Sequence, residues 1–424
     1  MAMTAVVVTF TVGDGAAELR GHGGPVRAVA VAEDGRSAIS GGFDQSVIVW
    51  TLESGAATEV LRFHDGAVNS VVALPDGRFA SGGEDGRIAV WQRGRGSPAA
   101  VIAAHTAPIA GLAASADGHL LASGSWDETV LVIDLRDGSR RVFKGHQGNV
   151  NGVAISGDGR TVVSAGYDAS VRLWPLDRAR APLAARLPTP VNGVAMARDG
   201  EILAAGSDGR VYALNPEGHV VRMLDAQPNP IAALALTRDG RLLAAAGLRG
   251  EVTLIERATG RIVRRLGEAG APAWSVAFTR DGGTVLAGSG DRLIRRWNAT
   301  DGEPIGSVAP ASASAGAEVA TGERGAQVFR ACVACHSVSP DGGNRAGPTL
   351  HGVFGRRIAT VPGYNYSEPL RRMDIVWTAE TVSRLFEVGP NTYTPGTKMP
   401  EQVIGNAEDR AALIRYLERV ATPR

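Results

Sequence analysis

An Asp-Gly pair returns seven times along this chain, at Asp34, Asp76, Asp117, Asp158, Asp199, Asp239 and Asp281, each 40 to 42 residues after the last. A fixed period of that size means one supersecondary unit repeated, since a single such unit cannot bury its own apolar face and must stack on its neighbours. Nine or ten residues past each pair stands a second mark, an acidic turn at Asp44, Asp85, Asp127, Asp168, Asp208 and Asp291, with Arg249 in the sixth copy. Six residues further each unit ends a β-branched run on a large apolar residue: Trp50, Trp91, Ile133, Trp174, Leu214, Ile255 and Trp297. Between the marks apolar residues alternate or run in short bursts, as in Val68 to Ala73 and Val150 to Ile155, which predicts strands joined by tight turns. The 55 glycines suit many turns rather than long helices, so the majority of the chain is expected to be all-β.

These units resemble WD40 repeats over residues 1–308. The resemblance implies a seven-bladed β-propeller with four-stranded blades. It also implies that each blade is pinned by a hydrogen-bonded set of His, Ser or Thr, Asp and Trp. The first unit offers His22, Ser40, Asp44 and Trp50, the second His64, Ser81, Asp85 and Trp91, and the fourth His146, Ser164, Asp168 and Trp174. The third offers His105, Ser123 and Asp127 but ends in Ile133, and the last three lack the histidine. Because the four histidines recur one per unit, paired buried polar groups explain them better than a metal site does. His119 and His219 fall in predicted turns and read as solvated, while Trp126 and Trp274 read as packing residues. The closing blade could take a strand from Thr4 to Phe10 or from Glu303 to Val308. No nucleophile elbow, phosphate-binding glycine loop or histidine pair at ligand spacing is present, so the propeller is expected to serve as a protein-docking module, an inference from fold alone.

A net charge of +1 without any run of like charges excludes the electrostatic footprint of a nucleic-acid binder. No stretch approaches the roughly 18 to 20 apolar residues of a membrane span. The segment Met1 to Gly15 has a short apolar run without a positive flank, so no signal peptide is read there.

Composition changes at Val308. Residues 309–321 are mostly Ala and Ser, which predicts a flexible tether with a reach of about 5 to 6 Å times the square root of its length. Beyond it stand the only two cysteines, in Cys332-Val-Ala-Cys335-His336. Two thiols three residues apart on a helical turn can each add across a vinyl group of one porphyrin edge, and the adjoining imidazole then meets the iron; this is the heme c attachment pattern. Structural zinc would need two more ligands, with only His351 at hand, and a thioredoxin-like pair would need an α/β setting that the region lacks. For the sixth iron ligand the candidate is Met399, at the end of the loop Pro395-Gly-Thr-Lys-Met399; Met373, among Arg371, Arg372 and Asp374, is the alternative, and Met399 as a plain core residue the third reading. From Glu408 to Ala421 apolar residues at helical spacing, Ala411, Leu413, Ile414, Leu417 and Val420, predict a terminal helix packed on the one around Phe329.

Residues 322–424 resemble a class I cytochrome c of the mitochondrial and bacterial c2 type. The motifs are the attachment sequence, Gly347-Pro-Thr-Leu-His-Gly-Val-Phe-Gly-Arg356, Pro362-Gly-Tyr-Asn-Tyr366, Ile375-Val-Trp377 and the methionine loop. The resemblance implies a small all-α domain in which the Pro348 carbonyl accepts from His336. It further implies that Arg356, Tyr366, Trp377 and Thr397 satisfy the buried heme propionates, which could not be buried unpaired. The family's ring of lysines round the heme edge is reduced here to Lys398, so electrostatic steering to a partner should be weak.

Taken together, the chain reads as a carrier of single electrons with one heme c, bound through Cys332 and Cys335 and ligated by His336 and Met399. A redox donor and acceptor, and a protein partner on the propeller face, are the expected partners. Thioether attachment takes place outside the cytoplasm in bacteria, which predicts a periplasmic or exported protein. Two other readings stand beside it. In one, the propeller is an oxidoreductase that feeds its own cytochrome, as in quinoprotein dehydrogenases and dissimilatory heme nitrite reductases, although their propeller features are missing. In the other, the chain is a heme-based redox sensor.

Overall fold

The computed structural model describes residues 18–305 and 323–421, apart from 178, 268–269, 334, 341–343, 345–346, 365 and 401. Seven four-stranded antiparallel sheets follow one another in chain order and form the blades of a propeller. The Asp-Gly marks are the turns between first and second strands. Gly35, Gly118, Gly159, Gly240 and Gly282 take the positive φ that such a turn demands, and the preceding carboxylate accepts backbone N–H groups two residues on, as Asp34 does from Arg36 at 2.9 Å.

In every blade the innermost strand carries a register shift at its second residue, as between Val26 and Ala28 or Val150 and Gly152. A bulge bends a strand and re-aims its side chains. Repeated seven times, it turns the inner ends of the blades towards the axis, where small residues let them meet: a Cβ on Gly152 would lie 2.9 Å from the Cα of Gly193 in the next blade. The blades are held to one another by apolar clusters, such as Ile39, Val47 and Val49 against Val68, Val71 and Phe79.

Ring closure divides the outer strand of the seventh blade between the two ends of the propeller sequence. Glu18–Arg20 pairs with Leu293–Asn298 through Arg295, Ile294 and Leu293, whereas Pro304 bridges Trp297 at the other end of that strand. The sequence pointed to two segments, and the second is in place in part. The first, Thr4 to Phe10, lies outside the described residues, as does the 309–321 tether; the strand observed is instead Glu18–Arg20.

The remaining described chain holds helices α1 (Arg324–Phe329), α2 (Glu368–Arg371), α3 (Ala379–Val388), α4 (Pro390–Tyr393) and α5 (Ala407–Val420). Asn406 caps α5 by accepting from the N–H groups of Glu408 and Asp409, and Thr378 and Thr381 cap α3 reciprocally. Helix α1 crosses α5 at Gly325, where a Cβ would lie 2.2 Å from the Ala412 carbonyl oxygen, and Phe329 packs on Tyr416 with ring centroids 5.3 Å apart. The buried stripe of α5 is Ala412, Leu413, Tyr416 and Leu417; it runs one residue round from the stripe expected, because Tyr416 supplies its bulk.

Candidate functional site

In the first, second and fourth blades the four polar groups form a directed chain. Trp50 Nε1 donates to Ser40 Oγ at 2.7 Å, Ser40 lies 2.7 Å from His22 Nε2, and His22 Nδ1 lies 3.0 Å from Asp44. The indole can only donate and serine has one proton, so the serine donates on to Nε2, and the imidazole proton sits on Nδ1 facing the carboxylate. The sets of His64 and His146 repeat this geometry, while the third blade keeps His105, Ser123 and Asp127 with Ile133 in place of the indole. These are structural pins. In spite of burial, each of the four aspartates is held below the ordinary carboxylate range by its histidine and by the backbone N–H groups around it, with the Thr129 and Ser170 hydroxyls adding to this at Asp127 and Asp168. Among the described residues no three His, Cys, Asp or Glu side chains are placed to hold a metal ion.

A crevice in the carboxy-terminal part draws together all nine of the residues singled out from the sequence: Cys332, Cys335, His336, Pro348, Arg356, Tyr366, Trp377, Thr397 and Met399. Met373 is not on it. The cysteines follow α1 in a tight turn, in which Cys335 N–H and His336 N–H both donate to the Cys332 carbonyl. Both are buried, and burial pushes the Cys332 thiol up to about 12. A thiol so protonated is a poor redox thiolate.

His336 Nδ1 lies 2.7 Å from the Pro348 carbonyl oxygen, so the ring donates there and carries its lone pair at Nε2. Gly347 makes that approach possible: a Cβ on it would come within 2.3 Å of the imidazole. Arg356 donates to the carbonyls of His351 (2.9 Å) and Thr349 (2.7 Å) and, among the described residues, has no carboxylate partner. Burial lowers its pKa and raises that of Tyr366, and Tyr364, packed edge-on at 4.7 Å, is raised to about 12. One partly desolvated guanidinium and two half-buried phenols, with no acid among them, are suited to an anionic group brought in with a ligand. Across the crevice, Thr397 Oγ1 accepts from Met399 N–H at 3.1 Å and so shapes the methionine loop. The walls between are apolar: Leu350, Val353, Ile358, Leu385, Phe386 and Leu413.

Tyr364 was legible as part of a motif though not as a lining residue. Val60 was not legible at all, for it comes from the first blade, far away in sequence.

An apolar slot with two cysteines and an imidazole at one wall, a thioether at another and an unmatched cation near its end is the pocket of a c-type cytochrome, here following a WD40-type propeller. The model of the WD domain, G-beta repeat, matches residues 14–51, 55–92, 96–134, 138–175 and 260–298, and that of cytochrome c matches residues 322–421. Over 97 residues the chain is 41% identical to cytochrome c of Gibberella zeae, which spans 23% of this chain and 91% of the relative. It is 43% identical over 99 residues to cytochrome c type-1 of Ascaris suum (23% and 85%) and 39% identical over 113 residues to cytochrome c2 of Blastochloris viridis (27% and 84%). Through these residues the chain belongs to the cytochrome c family, and its cofactor is covalently attached heme c. It is an electron-transfer protein. Among the described residues no helix is long and apolar enough to cross a membrane.

Proposed function

We propose that this protein is a carrier of single electrons, with the propeller (residues 1–308) as a protein-docking module, residues 309–321 as a tether and residues 322–424 as the redox domain. Heme c supplies a one-electron Fe(III)/Fe(II) couple. Cys332 and Cys335 would hold it through thioether bonds, and His336 and Met399 would be the protein ligands of its iron. The observation that carries the reading is the His336 ring, with Nδ1 tied to Pro348, on the same crevice as the Met399 thioether. A methionine ligand beside the histidine would raise the reduction potential, and an iron held by both side chains would be suited to electron transfer rather than to oxygen chemistry. Arg356, Tyr366, Trp377 and Thr397 are assigned to the propionates. Donor and acceptor are redox proteins, and the compartment is periplasmic or otherwise outside the cytoplasm, where thioether attachment takes place.

The test is an optical spectrum of protein co-expressed with the heme c maturation machinery. The expected result is a covalent heme whose ferric form shows the weak long-wavelength band of methionine ligation, lost in Met399→Ala. A covalent heme without that band would overturn the ligand assignment, and no covalent heme at all would overturn the whole reading.

A further inference from the structure

The outer strand of the first blade, Ala57–Arg62, lies at the edge of its sheet, where a propeller ordinarily meets solvent. Here that edge meets the opening of the heme crevice. Val60 is one of the crevice-lining residues, and Cys335 packs in the same apolar cluster as Val60, Ala57 and Trp50. Two residues on, one nitrogen of Arg62 donates to the Met399 carbonyl at 2.8 Å and to the side-chain oxygen of Asn391. The other donates to the Asp44 carbonyl of its own blade at 3.0 Å. A single planar guanidinium thus spans both domains. Gln402 Nε2 donates to the Gly21 carbonyl at 3.4 Å, and Lys398 Nζ lies so near Gly96 of the second blade that a Cβ there would come within 2.6 Å. These contacts converge on the segment that carries Met399 and on the cysteine beside which the porphyrin edge would be bonded.

We infer that the propeller completes the heme site: Val60 closes its mouth beside Cys335, and Arg62 is a positioning residue for the loop of Met399. The inference rests on the ligation proposed above. Covering that edge excludes water, and a drier site disfavours the more highly charged ferric state and so holds the potential up. The tethered loop slows release of the thioether. A partner of protein size reaches the covered edge only after the blade has moved off it.

The experiment uses the full-length heme-loaded chain and two variants. Arg62→Ala removes the clamp; Gly96→Trp wedges the contact apart from a loop and leaves the first blade untouched. Imidazole is added to the ferric protein and loss of the methionine band is timed. Displacement is expected to be about tenfold faster in Arg62→Ala, the worth of one charge-assisted hydrogen bond, and at least as fast in Gly96→Trp. Both variants should have a lower midpoint potential than the parent. Hydrogen exchange at the amides of Ala57–Arg62 reads docking independently of the iron and should quicken in Gly96→Trp. Variants that match the parent in displacement rate, potential and exchange would overturn the inference. A parent that lacks the methionine band would instead overturn the ligation, with the exchange measurement still deciding whether the blade is docked.

Discussion

The propeller and the cytochrome domain solve the problem of a small core in opposite ways. Four blades carry a polar pin of their own, and these pins repeat around the ring: His, Ser, Asp and Trp in the first, second and fourth blades, and three of the four in the third. The cytochrome domain has no such redundancy. Its apolar residues on α1, α3 and α5 meet one another on one side but face a crevice on the other, where Leu385, Phe386, Leu413 and Leu417 line the wall. One region is specified by the chain alone, and the other needs a group that the chain does not encode. Distributed pins tolerate the loss of any one, whereas a core built round a single prosthetic group depends on it as a whole.

The largest effect should therefore come from the cofactor. In Cys332→Ala/Cys335→Ala, which cannot form thioether bonds, α3 and α5 should exchange their amide protons nearly as an unfolded segment does, a loss of about 5 kcal/mol or more. The central strands of the blades should keep their protection, and only Ala57–Arg62 in the first should loosen. Uniform loss across both regions would break the comparison.

Within the propeller the pins themselves differ. Ser164 is fully buried and holds both Trp174 Nε1 and His146 Nε2, so Ser164→Ala leaves a buried donor and a buried acceptor without partners, at a cost of about 3 kcal/mol. The fifth blade has Leu187 at the histidine position and instead joins Tyr212 Oη to Asp208 at 2.6 Å, so Tyr212→Phe removes one hydrogen bond and costs about 1 to 2 kcal/mol. Local hydrogen exchange in each blade measures both. Equal costs would mean that one bond pins a blade as well as three.

That contrast also marks how far the sequence could be read. The period, the Asp-Gly turns and the His-Ser-Asp-Trp sets are local signals repeated at fixed spacing, and they located seven blades and four histidine pins. Tyr212 as a pin follows no column, and Gln227 stands at the histidine position of the sixth blade without the residue type that marks it, so their places emerged only from the fold. Of the nine crevice residues, Cys332, Cys335, His336 and Met399 were legible from the attachment spacing and the thioether loop, and the other five because the resemblance supplied their motifs. Val60 and Arg62 were not, since nothing in the composition of an edge strand tells which surface it will cover.

The smallest effect concerns acid, and it separates the third and fourth blades from the fifth and sixth. Burial holds the pKa of His105 and of His146 below that of a free histidine, with the facing aspartates opposing but not cancelling the shift. The unfolded chain then takes up these protons before the folded one does. Stability is full above about pH 6.5, the ordinary histidine value, and begins to fall as pH drops below it. Asp127 and Asp168, depressed in the folded state, contribute stability that is present above about pH 4 and is lost as pH falls further. The fifth and sixth blades have no histidine in the pin and should not feel the first of these steps. Amide exchange at pH 7 and pH 5, corrected for intrinsic rates, should show Thr161–Gly166 loosening relative to Leu242–Gly247. If the two strands loosen together, neutral histidines are not what sets the pinned blades apart.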